Sequence, residues 1–209
     1  MSGLVGKRAV LVSLAVILLC MTLIIGVSLA LFTDTETVRT HLRAGDLDVT
    51  LTRTGLEYSI VNADGELEKT VVSDPYEFTG SGTENVFGAG IKEARIIPGS
   101  YFKVDMEIGN NGNVAFVYDV GIQLLGESNS LAAQLEVTVT RPGQEPVKHT
   151  LDEMINGVTV FGGEMLVGDE PQTFTVEVNF VKRDDVVNNL AQTQVAEFDL
   201  IVSATQSTQ

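Results

Sequence analysis

The chain has no tryptophan, one cysteine, two histidines and five prolines, and its 13 Lys+Arg face 28 Asp+Glu. Each scarcity closes a class of function. The single thiol, Cys20, lies inside an apolar run, so the rest of the chain can form no disulfide and no Cys-based metal or nucleophile site. His41 and His149 stand apart and neither begins an HExxH sequence. A dedicated transition-metal site is therefore not expected. No GxSxG elbow is present, and Gly80-Ser81-Gly82 leads into no Gly-Lys-Ser/Thr. Asp34-Thr35-Glu36 lacks the Gly and the second copy that an aspartic protease needs. Asp46 and Asp48 sit two apart, on one face of a strand, and read as a solvated edge. The chain is thus read as a non-enzyme with no cofactor.

Positive charge is scarcer still beyond the first thirty residues. Lys7 and Arg8 are the only charges there, so 11 of the 13 basic residues remain against 28 acids, a net charge of −17. A field of that sign repels nucleic acid and anionic lipid surfaces and favours solubility. No nucleic-acid partner is expected.

The one long hydrophobic run starts after that basic pair and extends uncharged from Ala9 to Phe32. Basic start, apolar run and small residues at Ser28 and Ala30 are the layout of a secretory signal cut between Ala30 and Leu31. The run is also long enough to span a bilayer as a retained anchor. Cleavage is the expectation, because small residues fill both required positions. Cys20 follows Leu18 and Leu19 rather than a small residue, which argues against a lipid-modified Cys. Nothing downstream approaches a second span, so membrane contact is expected only through residues 9–30 before cleavage. The division is residues 1–30 as signal, 31–45 as an N-terminal segment, and 46–206 as one domain large enough for its own core.

That domain reads as strands. Leu47, Val49 and Leu51 alternate with Asp48, Thr50 and Thr52, a period of two. Leu56 to Ile60 and Glu66 to Val72 flank Asn62-Ala63-Asp64-Gly65, a hairpin turn. Its Asn-x-Asp-Gly spacing lacks the remaining ligands and closing Glu of a calcium loop. Residues 73–90 are irregular, with Tyr76, Phe78 and Phe87 as buried-type anchors in a surface loop. Phe102, Val104, Met106 and Ile108 alternate after Pro98-Gly99. The Asn110-Asn111-Gly112-Asn113 turn then predicts a return strand over Val114 to Leu125. Further strands are expected at Leu135 to Thr140, Val158 to Phe161, Phe174 to Phe180 and Val195 to Ala204. Short helical connections are expected over 127–134, Thr150 to Asn156 and Asp184 to Leu190. Roughly ten short strands separated by turns predict an all-β, jelly-roll-like antiparallel sandwich after an N-terminal signal helix.

Three patches carry a resemblance. One is Ala30-Leu31-Phe32-Thr33-Asp34-Thr35-Glu36-Thr37 with Ala44-Gly45-Asp46-Leu47-Asp48-Val49. The second is Pro98-Gly99, a strand, and Ile108-Gly109-Asn110-Asn111-Gly112. The third is Asn189-Leu190-Ala191-Gln192 leading to Ala204-Thr205-Gln206. In this order the chain resembles the TasA/camelysin family of secreted proteins processed by a SipW-type signal peptidase. It departs at Leu42, where an aromatic is usual, and residues 54–95 have no clear counterpart.

The resemblance implies a secreted fibre subunit of the cell surface or biofilm matrix that self-associates by donating its N-terminal segment as a strand. The donor would be Leu31, Phe32, Thr33, Asp34, Thr35, Glu36, Thr37 and Val38, released by cleavage after Ala30. The residues themselves are compatible with that, being Thr-rich and free of Gly and Pro before Gly45. They fit a flexible tail or an intramolecular edge strand equally well. Two other readings stand beside it: a membrane-anchored adhesion or binding module, and a camelysin-like secreted protease. Mass spectrometry of the exported protein should find a mature N-terminus at Leu31. A chain still beginning at Met1 or Ser2 would favour the anchor.

Overall fold

The computed structural model describes residues 34–36, 47–79, 84–88 and 95–207. The expected signal helix and its cleavage residues Ser28, Ala30 and Leu31 lie outside them. Among the described residues eleven strands run β1 (Asp34–Glu36), β2 (Val49–Val61), β3 (Leu67–Val72), β4 (Tyr76–Glu77), β5 (Tyr101–Asn110), β6 (Phe116–Leu125), β7 (Leu135–Thr140), β8 (Val147–Thr150), β9 (Val158–Met165), β10 (Gln172–Phe180) and β11 (Glu197–Gln206). They form two antiparallel sheets. The smaller has the order β1-β11-β6-β9, and the larger β3-β2-β5-β10-β7-β8, with β4 also pairing β2. The chain is therefore an all-β sandwich.

Alternation in the sequence becomes alternation in burial. Phe102, Val104, Met106 and Ile108 of β5 and Phe174, Val176, Val178 and Phe180 of β10 line the inner face of the larger sheet. Phe116, Tyr118, Val120, Ile122 and Leu124 of β6 line the smaller one. Residues between them on each strand are partly or fully exposed. Side chains that point to opposite faces at successive positions make this the only way one strand can serve both core and solvent.

Two features depart from the local reading. The segments expected at 47–52 and 56–60 are one thirteen-residue strand, β2, with a bulge between Arg53 and Gly55. The extra residue shifts the inward parity from Leu51 to Leu56, which is why the sequence pattern appears to break there. The predicted return strand exists as β6, but it does not pair with β5. β5 lies between β2 and β10, whereas β6 lies between β11 and β9. The Asn110 side chain builds the crossing between sheets: its Oδ1 accepts from the Gly112 N–H at 3.0 Å and its Nδ2 donates to the Val114 carbonyl at 2.9 Å. From β5 to β11, every connection except β7–β8 crosses in this way.

β8 was not expected from the pattern. Its four residues form the outer edge of the larger sheet and lead into a 3-10 turn, Leu151–Met154. That turn is closed by a reciprocal capping box between Thr150 and Glu153. A second 3-10 turn, Ala132–Gln134, and a short helix α1 (Asp185–Asn189) occupy the other expected helical connections.

Phe116 has no exposed surface. Phe116→Ala should cost about 3–5 kcal/mol by urea unfolding, from lost burial and the cavity left behind. Its neighbour Val117, nearly half exposed on the outer face, should lose no more than about 0.5 kcal/mol on the same substitution.

Candidate functional site

β11 is where the fold and the expected donor segment meet. Phe198, Leu200 and Val202 were expected to face inward; Leu200 and Val202 are buried and Phe198 packs against the core. On one side β11 is paired along its whole length, from Glu197↔Leu125 to Gln206↔Phe116 on β6. On the other side only β1 touches it, through Asp34↔Ala204, Thr35↔Ser203 and Glu36↔Val202. Among the described residues, Glu197 to Ile201 therefore present a strand edge with no partner strand.

Of the expected donor residues, the structure places Asp34, Thr35 and Glu36, and it places them as an edge strand of the same chain. Leu31, Phe32, Thr33, Thr37 and Val38 lie outside the described residues.

Beneath that edge the core is closed by the irregular segment. Phe87 is buried, with its ring 6.0 Å from Phe198 of β11 and 5.3 Å from Phe102 of β5. An aromatic from a loop thus bridges the two sheets. The loop is tied in place locally. Asn85 Oδ1 accepts from the Phe87 N–H, and the Gly88 N–H donates to the Asn85 carbonyl, both at 2.9 Å. Phe78 is also buried, edge-on to Tyr76 at 5.2 Å.

Arg53 supplies the third tie. Its guanidinium donates to the Val86 carbonyl at 3.1 Å and lies 5.4 Å from the Tyr76 ring centre, a cation–π arrangement. Tyr76 in turn donates to Glu84 at 2.7 Å, and Glu84 also accepts from the Thr79 N–H. The acceptor Glu84, and secondly burial, hold the Tyr76 phenol above its ordinary pKa. Of the three expected buried-type anchors, Phe78 and Phe87 are buried, whereas Tyr76 is 41% exposed.

Sequence reasoning missed Arg53. Its signal was present, since it continues the inward series Leu47, Val49, Leu51 with a charge where an apolar residue belongs.

The remaining titratable groups are arranged as fasteners. Glu57 accepts from Lys69 at 2.8 Å and from the Tyr101 hydroxyl at 2.5 Å. Those two hydrogen bonds hold its carboxyl below the usual value, and the same carboxylate raises the Tyr101 phenol. All three lie in cross-strand neighbours on the outer face of β3, β2 and β5.

A second cluster closes the far side of the sandwich. Arg141 lies 4.6 Å over Phe161 and donates to the Gly162 carbonyl at 3.1 Å. Tyr118 donates to Gln172 at 2.5 Å, and burial pushes its phenol pKa up. Gly163 makes room for that ring, since a Cβ there would lie 2.7 Å from the Tyr118 hydroxyl. These contacts use their polar atoms to join strands. Among the described residues no group of three or more His, Cys, Asp and Glu side chains is placed to hold a metal ion.

No family model matches the chain, and no curated protein matches it. Among solved structures it is similar to a family two carbohydrate esterase from Cellvibrio japonicus, at 12% identity and a TM-score of 0.21. That alignment covers 85% of this chain and 35% of the esterase, so the chain spans about a third of that protein's length. A likeness of that size bears on no functional argument.

Phe87→Ala should cost about 3 kcal/mol and should open the segment between residues 79 and 95 to limited proteolysis under native conditions. Equal cleavage rates in variant and parent would show that the ring does not hold the loop.

Proposed function

We propose that the chain is a secreted structural protein of the cell surface or biofilm matrix, a fibre subunit that assembles by strand donation at β11. One observation carries this reading: a ten-residue strand is fully paired on one side, and among the described residues its other side is met only by a three-residue strand from the N-terminal segment. A strand with unpaired N–H and C=O groups is a template for another chain. A three-residue pairing within the chain is a small contact to exchange for a longer one with a neighbour, the economy on which swapped assemblies rest.

The observed register says what a donated strand would meet. Continued antiparallel from Asp34↔Ala204, it sets Phe32 opposite Gln206, Thr37 opposite Ile201 and Val38 opposite Leu200. Backbone hydrogen bonds along that line would supply affinity, and alternate side chains would supply selectivity. Under this proposal, cleavage between Ala30 and Leu31 by a SipW-type signal peptidase frees the donor, so processing licenses assembly.

The anchored-adhesin alternative gives the 73–90 loop the contact with a partner. Phe78 and Phe87 are instead buried in the chain's own core, and Tyr76 packs edge-on against Phe78, which favours the fibre reading. The protease alternative has no arrangement of described residues to favour it.

Deleting residues 31–40 from the processed chain should abolish filaments seen by negative-stain electron microscopy while leaving the thermal unfolding transition in place. Among the described residues the buried apolar side chains all lie between Leu51 and Val202. Undiminished filaments would sink strand donation.

A further inference from the structure

The part of β11 that no described strand covers has a charge pattern of its own. Phe198, Leu200 and Val202 turn toward the core, and Glu197, Asp199 and Ile201 alternate with them on the outer side. Opposite Glu197 and Asp199 on β6 stand Leu125 and Gln123, so the paired side offers neither carboxylate a cation. Among the described residues neither acid forms an ion pair. The stretch of edge without a partner strand is thus also where two acids, two residues apart, have no counter-charge.

The sequence that continues β1 carries the opposite pattern. Arg39, His41 and Arg43 alternate, and nowhere else in the chain do basic residues recur two apart. The alternate positions before them are Thr33, Thr35 and Thr37, so this row holds no acid. Residues 37–43 lie outside the described residues, but the register of β1 says which of them the edge would meet. Asp34↔Ala204, Thr35↔Ser203 and Glu36↔Val202 are the observed pairs. Each step forward along the donor is one step back along β11, which sets Thr37 against Ile201, Arg39 against Asp199 and His41 against Glu197.

We infer that the β11 edge selects its strand by two charge pairs: Arg39 of one copy against Asp199 of a second, and His41 of the first against Glu197 of the second. The inference rests on the strand-donation reading and specifies its register and its reach, as far as residue 41. Residues directly opposite in an antiparallel pair share a face. Both charge pairs therefore fall on the outer face, in line with Thr37 on Ile201 and Thr35 on Ser203. A slip of one residue would bring Val38 or Thr40 to Asp199 and turn the basic residues to the inner face. The β11 edge of a second copy is a poor occupant by comparison. Paired antiparallel about its middle, it would set Asp199 against Asp199, and like charges directly opposite are destabilising.

Two variants of the processed chain test this by complementation. One reverses the edge, Glu197→Lys with Asp199→Lys; the other reverses the donor, Arg39→Glu with His41→Glu. Each alone brings like charges together and should raise the concentration needed for filaments about tenfold, read by pelleting and electron microscopy. An equimolar mixture should form filaments at the parent's total concentration, since each variant's donor then meets the other's edge. An unchanged melting transition confirms that each variant is folded. Asp199→Asn, which keeps the side chain's shape, should shift assembly in the same direction and serves if the edge reversal disturbs folding. Either reversal assembling as the parent does overturns the inference. So does a mixture that stays unassembled, even where all four substitutions joined in one chain restore filaments, because the pairs would then close within a molecule. Strand donation has a separate outcome. Filaments lost on deleting residues 31–40 yet indifferent to these charges would leave donation standing and remove the register, whereas filaments that survive the deletion would remove both.

Discussion

The closing of the β5 face on the β6 face is the constraint on which the rest of the structure depends. Val104, Met106 and Ile108 on one strand, and Phe116, Val120 and Ile122 on the other, are almost wholly removed from solvent. Each such side chain contributes about 1.5–3 kcal/mol by burial. These strands follow one another in the chain with only the Asn110–Ala115 turn between them. Had they paired edge to edge as a hairpin, both apolar faces would have lain on the same side of one sheet and needed a second layer from elsewhere. The Asn110 side chain, by holding Gly112 and Val114, sends β6 into the opposite sheet, and each face becomes the other's cover. Once those layers exist, β10 can join β5, β11 can join β6, and the remaining connections cross, except that between β7 and β8.

Much of this was legible in the sequence, and the boundary of legibility has a physical cause. Period-two alternation reports which side of a strand is buried, so Phe102 to Ile108 and Phe174 to Phe180 could be assigned their faces from local pattern. Pairing partners carry no such local mark. Asn110 to Asn113 has the composition of a hairpin turn, and composition does not distinguish a turn that folds a strand back beside itself from one that lifts it into the other sheet. The bulge at Arg53–Gly55 hid the unity of β2 because one inserted residue inverts the alternation. β8 escaped because it is four residues long and Val147 is its only apolar residue.

The candidate site was legible in a different proportion. Phe198, Leu200 and Val202 could be read as an inward row, while the junction at Ala30 lies outside the described residues. That the N-terminal segment's Asp34 to Glu36 and the last strand would lie side by side could not be read, since they are separated by nearly the whole folded domain. The loop was legible in part. Its Gly, Ser and Asp content describes its exposed backbone, while Phe78 and Phe87 describe the two points at which it enters the core. Arg53 is the residue that reconciles them. Its carbonyl partner at Val86 and its aromatic partner at Tyr76 both belong to the loop, so a charge on an inward strand position is a sign that irregular chain passes over it.

The edges of the two sheets finally bear on which surface can recruit another chain. β3 carries Glu68 and Lys69 along the outer edge of the larger sheet, charges that oppose further pairing. β8, at the opposite edge, is four residues long and follows Pro146, short enough to template little. β9 meets β6 through a register shift at Val120–Gly121 and carries Gly162, Gly163 and Glu164, so its edge is bent, weak in strand propensity and charged. Along Phe198 to Ile201, β11 carries one charge, Asp199, and neither a bulge nor a proline. It is long, its pairing with β6 runs without a register shift, and its row of Leu200, Ile201 and Val202 has high strand propensity. Natural sandwiches leave few such edges open. Here, among the described residues, the three-residue β1 lies against one end of β11 and no strand pairs with Glu197 to Ile201 on that side.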